Sequence, residues 1–213
     1  MGDLWRSGDP VEILRRRLEA GGFLAVPTES SYALAADPRS AEGVAAIFRA
    51  KGREGGKPLP VVAADREQLT MLGVTIPEPL LDAAARWPAA LTLVVGLSSP
   101  LPASAGRSTL AVRVPAHAGL RRLLDRLGTP LTATSANRSG APPLLAPEDV
   151  LAAFPEASMT VVDAGELPGG PPSTLLALEE DGVAVLRRGR YPWPSAESEF
   201  SAGSVEISRG RTR

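Results

Sequence analysis

Lys51, Arg53 and Lys57 place three cations within seven residues, interleaved with Gly52, Gly55 and Gly56. Long cationic side chains on a glycine-rich connection suit a polyanion. The glycines let the backbone come close to a ligand, and ammonium and guanidinium groups supply charge-assisted hydrogen bonds. An ordinary solvated basic turn has the same composition, so the loop by itself leaves both readings open. A Walker loop is excluded. Gly52 to Lys57 is one residue too short, Pro58 stands where Ser or Thr would hold magnesium, and a helix leads into the loop where a strand is required.

Three further stretches carry groups able to do chemistry. Thr28, Glu29, Ser30 and Ser31 follow an apolar run directly, as do Ser135, Ala136, Asn137, Arg138 and Ser139. Small hydroxyls after a buried strand can serve a site at the carboxyl edge of a sheet, and they are also common in plain turns. Arg113 is the one charge in the apolar segment Thr109 to Pro115. A charge in such a strand needs a partner, either a ligand in a polar cleft or a structural ion pair. There is no cysteine and one histidine, His117. Thiol nucleophiles, disulfides and thiolate metal sites are excluded, a Ser-His-Asp site would have to use His117, and a histidine-based zinc site is not expected.

These groups must be positioned by a chain of 213 residues that is 44% hydrophobic, enough for one domain with a sizeable core. Lys and Arg (23) balance Asp and Glu (24), so bulk charge does not point to a nucleic-acid binder. No apolar run reaches membrane-spanning length and no signal-peptide core is visible, which implies a soluble, cytoplasmic protein. Asp9, Pro10 and Glu12 predict a capping box opening a helix that ends at Gly21-Gly22. A strand is expected over Phe23 to Val26, and a helix from a Ser40 cap to Lys51, stopped by Gly52. Lys51 is then expected to be exposed, and its removal to leave stability nearly unchanged.

Further strands are expected at Leu59 to Ala63, Leu91 to Val95, Thr109 to Pro115, Leu131 to Thr134, Thr160 to Asp163 and Leu175 to Leu178. Asp181-Gly182 then turns into an antiparallel partner, Val183 to Arg187. Short helical stretches fall around Arg66 to Leu72 and Glu78 to Trp87, with longer ones at Ala118 to Leu127 and Pro147 to Phe154. Ser98 to Ser108 reads as a mobile loop. Residues 1–190 form the domain, and 191–213 a polar tail with little structure of its own. Alternating strands and helices with one late hairpin define an α/β fold with a mixed sheet.

The ordered motifs PTE (Pro27 to Glu29), KGR (Lys51 to Arg53), KPL (Lys57 to Leu59), AVRVP (Ala111 to Pro115), SANRSG (Ser135 to Gly140), Ser173-Thr174 and Leu186-Arg187 resemble those of the YrdC family of threonylcarbamoyl-adenylate synthases. The match covers roughly residues 8 to 190. The resemblance implies a YrdC-like twisted open mixed β-sheet flanked by helices, with a basic cleft. It also implies synthesis of threonylcarbamoyl-AMP and pyrophosphate from L-threonine, bicarbonate and ATP. The product would serve a partner transferase that modifies tRNA, with direct RNA binding as a further expectation. Lys51 and Arg53 would be catalytic. Together with Lys57, Thr109, Ser135, Asn137 and Arg187 they would hold ATP, while Thr28, Arg113 and Ser173 would hold threonine. Mg2+ would travel with the phosphates, since no dedicated carboxylate cage is visible.

The chain departs from the family pattern at Glu54 (usually Pro), Ala33 (usually Gly), Val62 (often His) and Pro143 (usually a hydroxyl residue). Two alternatives therefore stand beside the synthase: a catalytically weak paralogue that binds RNA or nucleotides, and a carbamoyl-adenylate domain using carbamoyl phosphate. Absence of the segments that accompany such domains in larger relatives argues against the latter.

Overall fold

The computed structural model describes residues 2–52, 56–155 and 157–194. Among these residues, twelve strands and six α-helices build two sheets within one α/β domain. The first sheet has the order β1-β10-β2-β3-β9, formed by Asp3–Trp5 (β1), Met159–Val162 (β10), Phe23–Pro27 (β2), Tyr32–Ala35 (β3) and Thr134–Ser135 (β9). Its β1, β10 and β2 are parallel, while β2-β3 and β3-β9 are antiparallel. The second has the order β12-β11-β6-β7-β4-β8, from Gly182–Arg187 (β12), Thr174–Glu179 (β11), Leu91–Leu97 (β6), Thr109–Arg113 (β7), Val61–Val62 (β4) and Leu131–Thr132 (β8). Val74–Thr75 (β5) pairs with β6 beside this path.

The helices are Val11–Glu19 (α1), Ala41–Lys51 (α2), Arg66–Thr70 (α3), Leu81–Ala84 (α4), Ala118–Leu127 (α5) and Pro147–Ala153 (α6). Strand alternation divides the core. Phe23 and Ala25 of β2 face a cluster with Ile47 and Phe48 of α2, whereas Leu24 and Val26 face Leu14 and Leu18 of α1 and Leu120 and Leu124 of α5. The first sheet is thus buried on both faces. The chain passes from second sheet to first between Thr132 and Thr134, where Thr132 N–H donates to Ala36 O (2.8 Å) and Ala136 N–H to Tyr32 O (2.8 Å). That crossing brings the end of β2 opposite the second sheet.

Several expectations need correction. Asp9 does not cap α1: its Oδ2 accepts from Arg6 N (2.7 Å), Pro10 takes the cap position, and Glu12 pairs with Arg15. The five-residue strand from Leu59 shrinks to Val61–Val62, since Pro58 and Pro60 have no N–H to pair. The segment 98–108 is anchored by a turn at Pro102–Ser104: Ala103 N–H donates to Pro38 O (3.1 Å), Leu59 N–H to Ala103 O (2.8 Å), and Ser104 is buried. The packed chain also continues past Tyr191, which with Trp193 lies against the core. The rest of the expected tail, 195–213, lies outside the described residues, as do Arg53 and Glu54.

Candidate active site

A cleft of about 420 Å³ opens between the two sheets. Thr28, Ser31 and Ala33 border it from the first sheet together with Ser135; Thr92, Ala111, Arg113, Ser173 and Arg187 border it from the second. The strand pattern explains this wall. Leu110 and Val112 of β7 are buried in the core, so Ala111 and Arg113 must point to the opposite face.

Arg113 is the buried charge of this wall. Its Nη1 lies 3.0 Å from Glu29 Oε2, with side chains only 12% and 10% exposed respectively. Glu29 Oε1 in turn accepts from Ala116 N (2.8 Å) just beyond β7, so one carboxylate clamps both the guanidinium and the backbone after the strand. Burial lowers the Arg113 pKa, Glu29 opposes that, and the like charge of Arg187 adds to the lowering. The Arg187 pKa is lowered by burial too. Arg113 therefore feels the like charge of Arg187 in the cleft wall, with Glu29 as its counter-ion. Both alternatives for Arg113 meet here: it has a structural ion pair and it borders the cleft.

Hydroxyls complete this half. Ser173 Oγ and Thr92 Oγ1 share a hydrogen bond of 2.7 Å across the β11-β6 pair. Arg187 donates from Nε (3.1 Å) and Nη2 (2.9 Å) to Ser173 O, and from Nη2 to Ser173 Oγ (3.3 Å), which fixes the guanidinium over the start of β11. Thr28 donates its hydroxyl to Ser31 O (2.7 Å), so the turn after β2 is self-closed with its polar atoms toward the cleft.

The turn that carries Ser135 is organised by Lys51, which is 5% exposed. Its Nζ donates to Ser135 O (2.6 Å), Asn137 O (3.0 Å) and Asn137 Oδ1 (3.1 Å). Gly52, in the left-handed region at φ 61°, ends α2 so that the last helical residue can reach this turn. Ser135 Oγ donates to Asn137 Oδ1 (2.5 Å), and Asn137 Nδ2 donates to Ala141 O (2.6 Å). The expectation of an exposed lysine is thus overturned. Lys51 is packed against residues far away in sequence and holds the turn that carries Ser135.

Of the anticipated residues, Thr28, Arg113, Ser135, Ser173 and Arg187 come together around one cleft, with Lys51 and Asn137 in the Ser135 turn. Lys57 and Thr109 are exposed and do not border the cleft, although Thr109 shares a strand face with Ala111 and Arg113. His117 stands outside it. Its Nδ1 accepts from Leu120 N (3.0 Å) and caps α5. Among the departures from the family pattern, Ala33 and Val62 border the cleft and Pro143 is exposed.

Glu29 and Thr92 were given no site role from the sequence. Glu29 was visible as the acid next to Thr28, but nothing local ties it to Arg113. Thr92 had a better signal, a lone hydroxyl in an apolar strand. No group of three His, Cys, Asp or Glu able to hold a metal ion occurs among the described residues.

The fold and cleft define a class: an α/β protein whose cleft wall combines a clamped arginine, a second arginine and strand-end hydroxyls. A family profile described as telomere recombination, Sua5_yciO_yrdC, matches residues 16–189. The chain belongs to this Sua5/YciO/YrdC family. It is 37% identical over 200 residues to a threonylcarbamoyl-AMP synthase of Pyrococcus abyssi, covering 92% of this chain and 58% of that protein. A threonylcarbamoyl-AMP synthase of Chromohalobacter salexigens is 38% identical over 196 residues, 86% of this chain and 97% of that one. The chain therefore spans little more than half the length of the Pyrococcus relative and nearly all of the Chromohalobacter one. Among solved structures, P. abyssi Sua5 complexed with L-threonine matches with a TM-score of 0.79 at 33% identity, over 96% of this chain and 62% of that one. E. coli YciO matches in fold with a TM-score of 0.74 at 22% identity, over 89% of this chain and 96% of that one.

Proposed function

We propose that this protein makes threonylcarbamoyl-AMP from L-threonine, bicarbonate and ATP. The observation that carries the reading is the cleft with two differently equipped halves. One half offers Arg113, Ser173 and Thr28 to an amino acid, with Arg187, expected to hold ATP, hydrogen-bonded to Ser173 beside them. The other offers the Ser135–Asn137 turn, locked by Lys51, to phosphate or adenylate oxygens. The names of the relatives and the threonine-bound Sua5 structure support it.

Threonine's amine adds to bicarbonate with loss of water, giving a carbamate. A carbamate oxygen then attacks the α-phosphorus of ATP, the bond from that phosphorus to the bridging oxygen breaks, and pyrophosphate leaves. No protein nucleophile takes part. The protein's task is to hold two anions in line and to offset charge on the departing group. Arg113 pairs the threonine carboxylate while Glu29 keeps the guanidinium aimed. Lys51 acts chiefly by positioning Ser135 and Asn137. Lys57 and Thr109 would approach the nucleotide from outside the cleft, Arg53 would also contact it, and Mg2+ would accompany the phosphates. The product would pass in the cytoplasm to a tRNA-modifying transferase, and the chain itself would contact RNA. No helix among the described residues is long and apolar enough to cross a membrane. Residues 1–190 would form the family domain and 191–213 its tail, the first residues of which, Tyr191 and Trp193, rest on the core.

A second reading is favoured by Val62, which pairs in register with Arg113 and places an apolar side chain on the cleft. On that reading the protein binds nucleotide or RNA without efficient synthesis. Incubation with ATP, threonine and bicarbonate separates the two. Threonine-dependent release of pyrophosphate, with the adenylate detected by mass, is expected. Release that ignores omission of threonine would defeat the synthase reading.

A further inference from the structure

A second groove, of about 430 Å³, shares no lining residue with the cleft. Its rim carries Arg17, Arg49 and Arg138, and its floor includes Phe23, Phe154 and Ser158. It adjoins the proposed site through covalent neighbours. Arg49 is two residues before Lys51 on α2, and Arg138 directly follows Asn137.

Four arginines outside the groove are held by carboxylates, while others, Arg187 among them, are not. Arg6, Arg15, Arg39 and Arg113 each pair with a carboxylate, respectively Asp163, Glu12, Asp37 and Glu29. Arg17 is paired on its outer side with Asp3 (3.0 Å) and also reaches Ser158 and Thr160. The guanidiniums of Arg49 and Arg138 have no hydrogen-bond or ion-pair partner among the described residues, and no carboxylate is among the described residues bordering the groove. With 24 acids in the chain against 23 bases, carboxylates are not scarce. Two exposed guanidiniums on one concavity present like charge that a bound anion would offset.

We propose that this groove is a binding site for a phosphate group, distinct from the catalytic cleft. A single carboxylate would satisfy one guanidinium. A phosphate presents several acceptor oxygens and more than one charge, and a planar guanidinium can grip it bidentately. The volume falls within the roughly 300–1,000 Å³ typical of small-ligand sites, so the phosphate can belong to a ligand of nucleotide size. Its source is either a free phosphorylated molecule or the backbone of a polynucleotide.

The test compares wild type with Arg49→Glu/Arg138→Glu. Both residues are exposed and neither belongs to the proposed catalytic machinery. Calorimetric titration of wild type with inorganic pyrophosphate is expected to show two classes of site, and the double variant to lose one of them by about tenfold or more in affinity. A 5′-phosphorylated single-stranded RNA oligonucleotide forms the second arm. Weaker binding by the variant, with a salt dependence shallower by about 1.4 in log K against log salt for two lost phosphate contacts, assigns the groove to a polynucleotide. Loss for pyrophosphate alone assigns it to a free ligand. Unchanged affinity for both probes overturns the proposal. Threonine-dependent pyrophosphate release should persist in the variant, so failure of the groove and failure of the synthase reading are distinguishable. If the double reversal perturbs folding, Arg49→Gln/Arg138→Gln carries the same comparison with half the charge change.

Discussion

The cleft wall and the second groove both gather arginines, but by opposite physical solutions. In the cleft Arg113 is buried and clamped by Glu29, so its charge is satisfied before any ligand arrives. In the groove Arg49 and Arg138 are exposed and lack a described carboxylate partner, leaving their charge to solvent or to a ligand. A clamped guanidinium is preorganised: it offers fixed geometry and loses little entropy on binding. A solvated one offers long reach and strong salt dependence. On the proposed roles, the contrast would suit the cleft to a small, precisely placed group and the groove to looser electrostatic capture.

The most damaging way to break this contrast is to unclamp the cleft. Glu29→Ala would leave Arg113 buried without its counter-ion, which is expected to lower unfolding stability by about 3–5 kcal/mol. Glu29→Gln keeps an acceptor for Ala116 N and should lose less. Urea unfolding of the two variants measures this. If Glu29→Ala stays within about 0.5 kcal/mol of wild type, the Arg113 charge is satisfied by other means and the contrast with the groove disappears.

Next in size is Lys51→Met, which keeps much of the aliphatic stem and removes the ammonium. Ser135 O, Asn137 O and Asn137 Oδ1 would lose a donor, with a loss of about 2–3 kcal/mol in the same assay. Activity should fall with it, since the turn carrying Ser135 would no longer be held. Full stability combined with lost nucleotide affinity would instead make Lys51 a direct ligand.

Both of these residues show where the sequence was legible and where it was not. The run into Lys51 and the stop at Gly52 were readable, because a serine cap, apolar spacing and a left-handed glycine are local signals. Helix α5 was readable residue for residue for the same reason. What Lys51 touches was not, since its partners lie 84 to 86 residues away and are mainly backbone carbonyls that any sequence possesses. Arg113 showed that it needed a partner, but not that the partner was Glu29. Strand β3 was absorbed into the turn before it, because Tyr32–Ala35 is four buried residues with no polar alternation to mark a strand. β1 and β5 are too short, at three and two residues, to carry a period at all.

A sharper probe of preorganisation is Arg113→Lys. The charge remains, while the planar fork that meets both Glu29 and a ligand carboxylate is lost. Threonine affinity should fall by about tenfold, or ~1.4 kcal/mol, with ATP affinity measured without threonine nearly unchanged. Calorimetry with each ligand reads this directly. Equal losses for both ligands would move Arg113 to the nucleotide half of the cleft.

The smallest effect concerns the far end of the Glu29 clamp. Ala116, whose N–H Glu29 accepts, is followed by His117, whose neutral Nδ1 caps α5. Burial lowers the His117 pKa below its ordinary value, more than the nearby Glu29 raises it. Above about pH 6.5 the imidazole is neutral in both folded and unfolded chains, and the cap contributes fully. As pH falls below that value the unfolded chain takes up the proton first, so stability is lost progressively until the folded imidazole also protonates. His117 is the chain's one histidine, and ordinary carboxylates titrate near pH 4, so the interval from about pH 6.5 to 5 isolates this group. Stability should decline there by about 1 kcal/mol or less, the worth of one helix cap. His117→Asn supplies a cap that does not titrate and should flatten the profile between those limits. Parallel profiles for wild type and variant in urea unfolding across that interval would mean that the cap does not depend on the neutral ring, and that the clamp and the helix it abuts are uncoupled from pH.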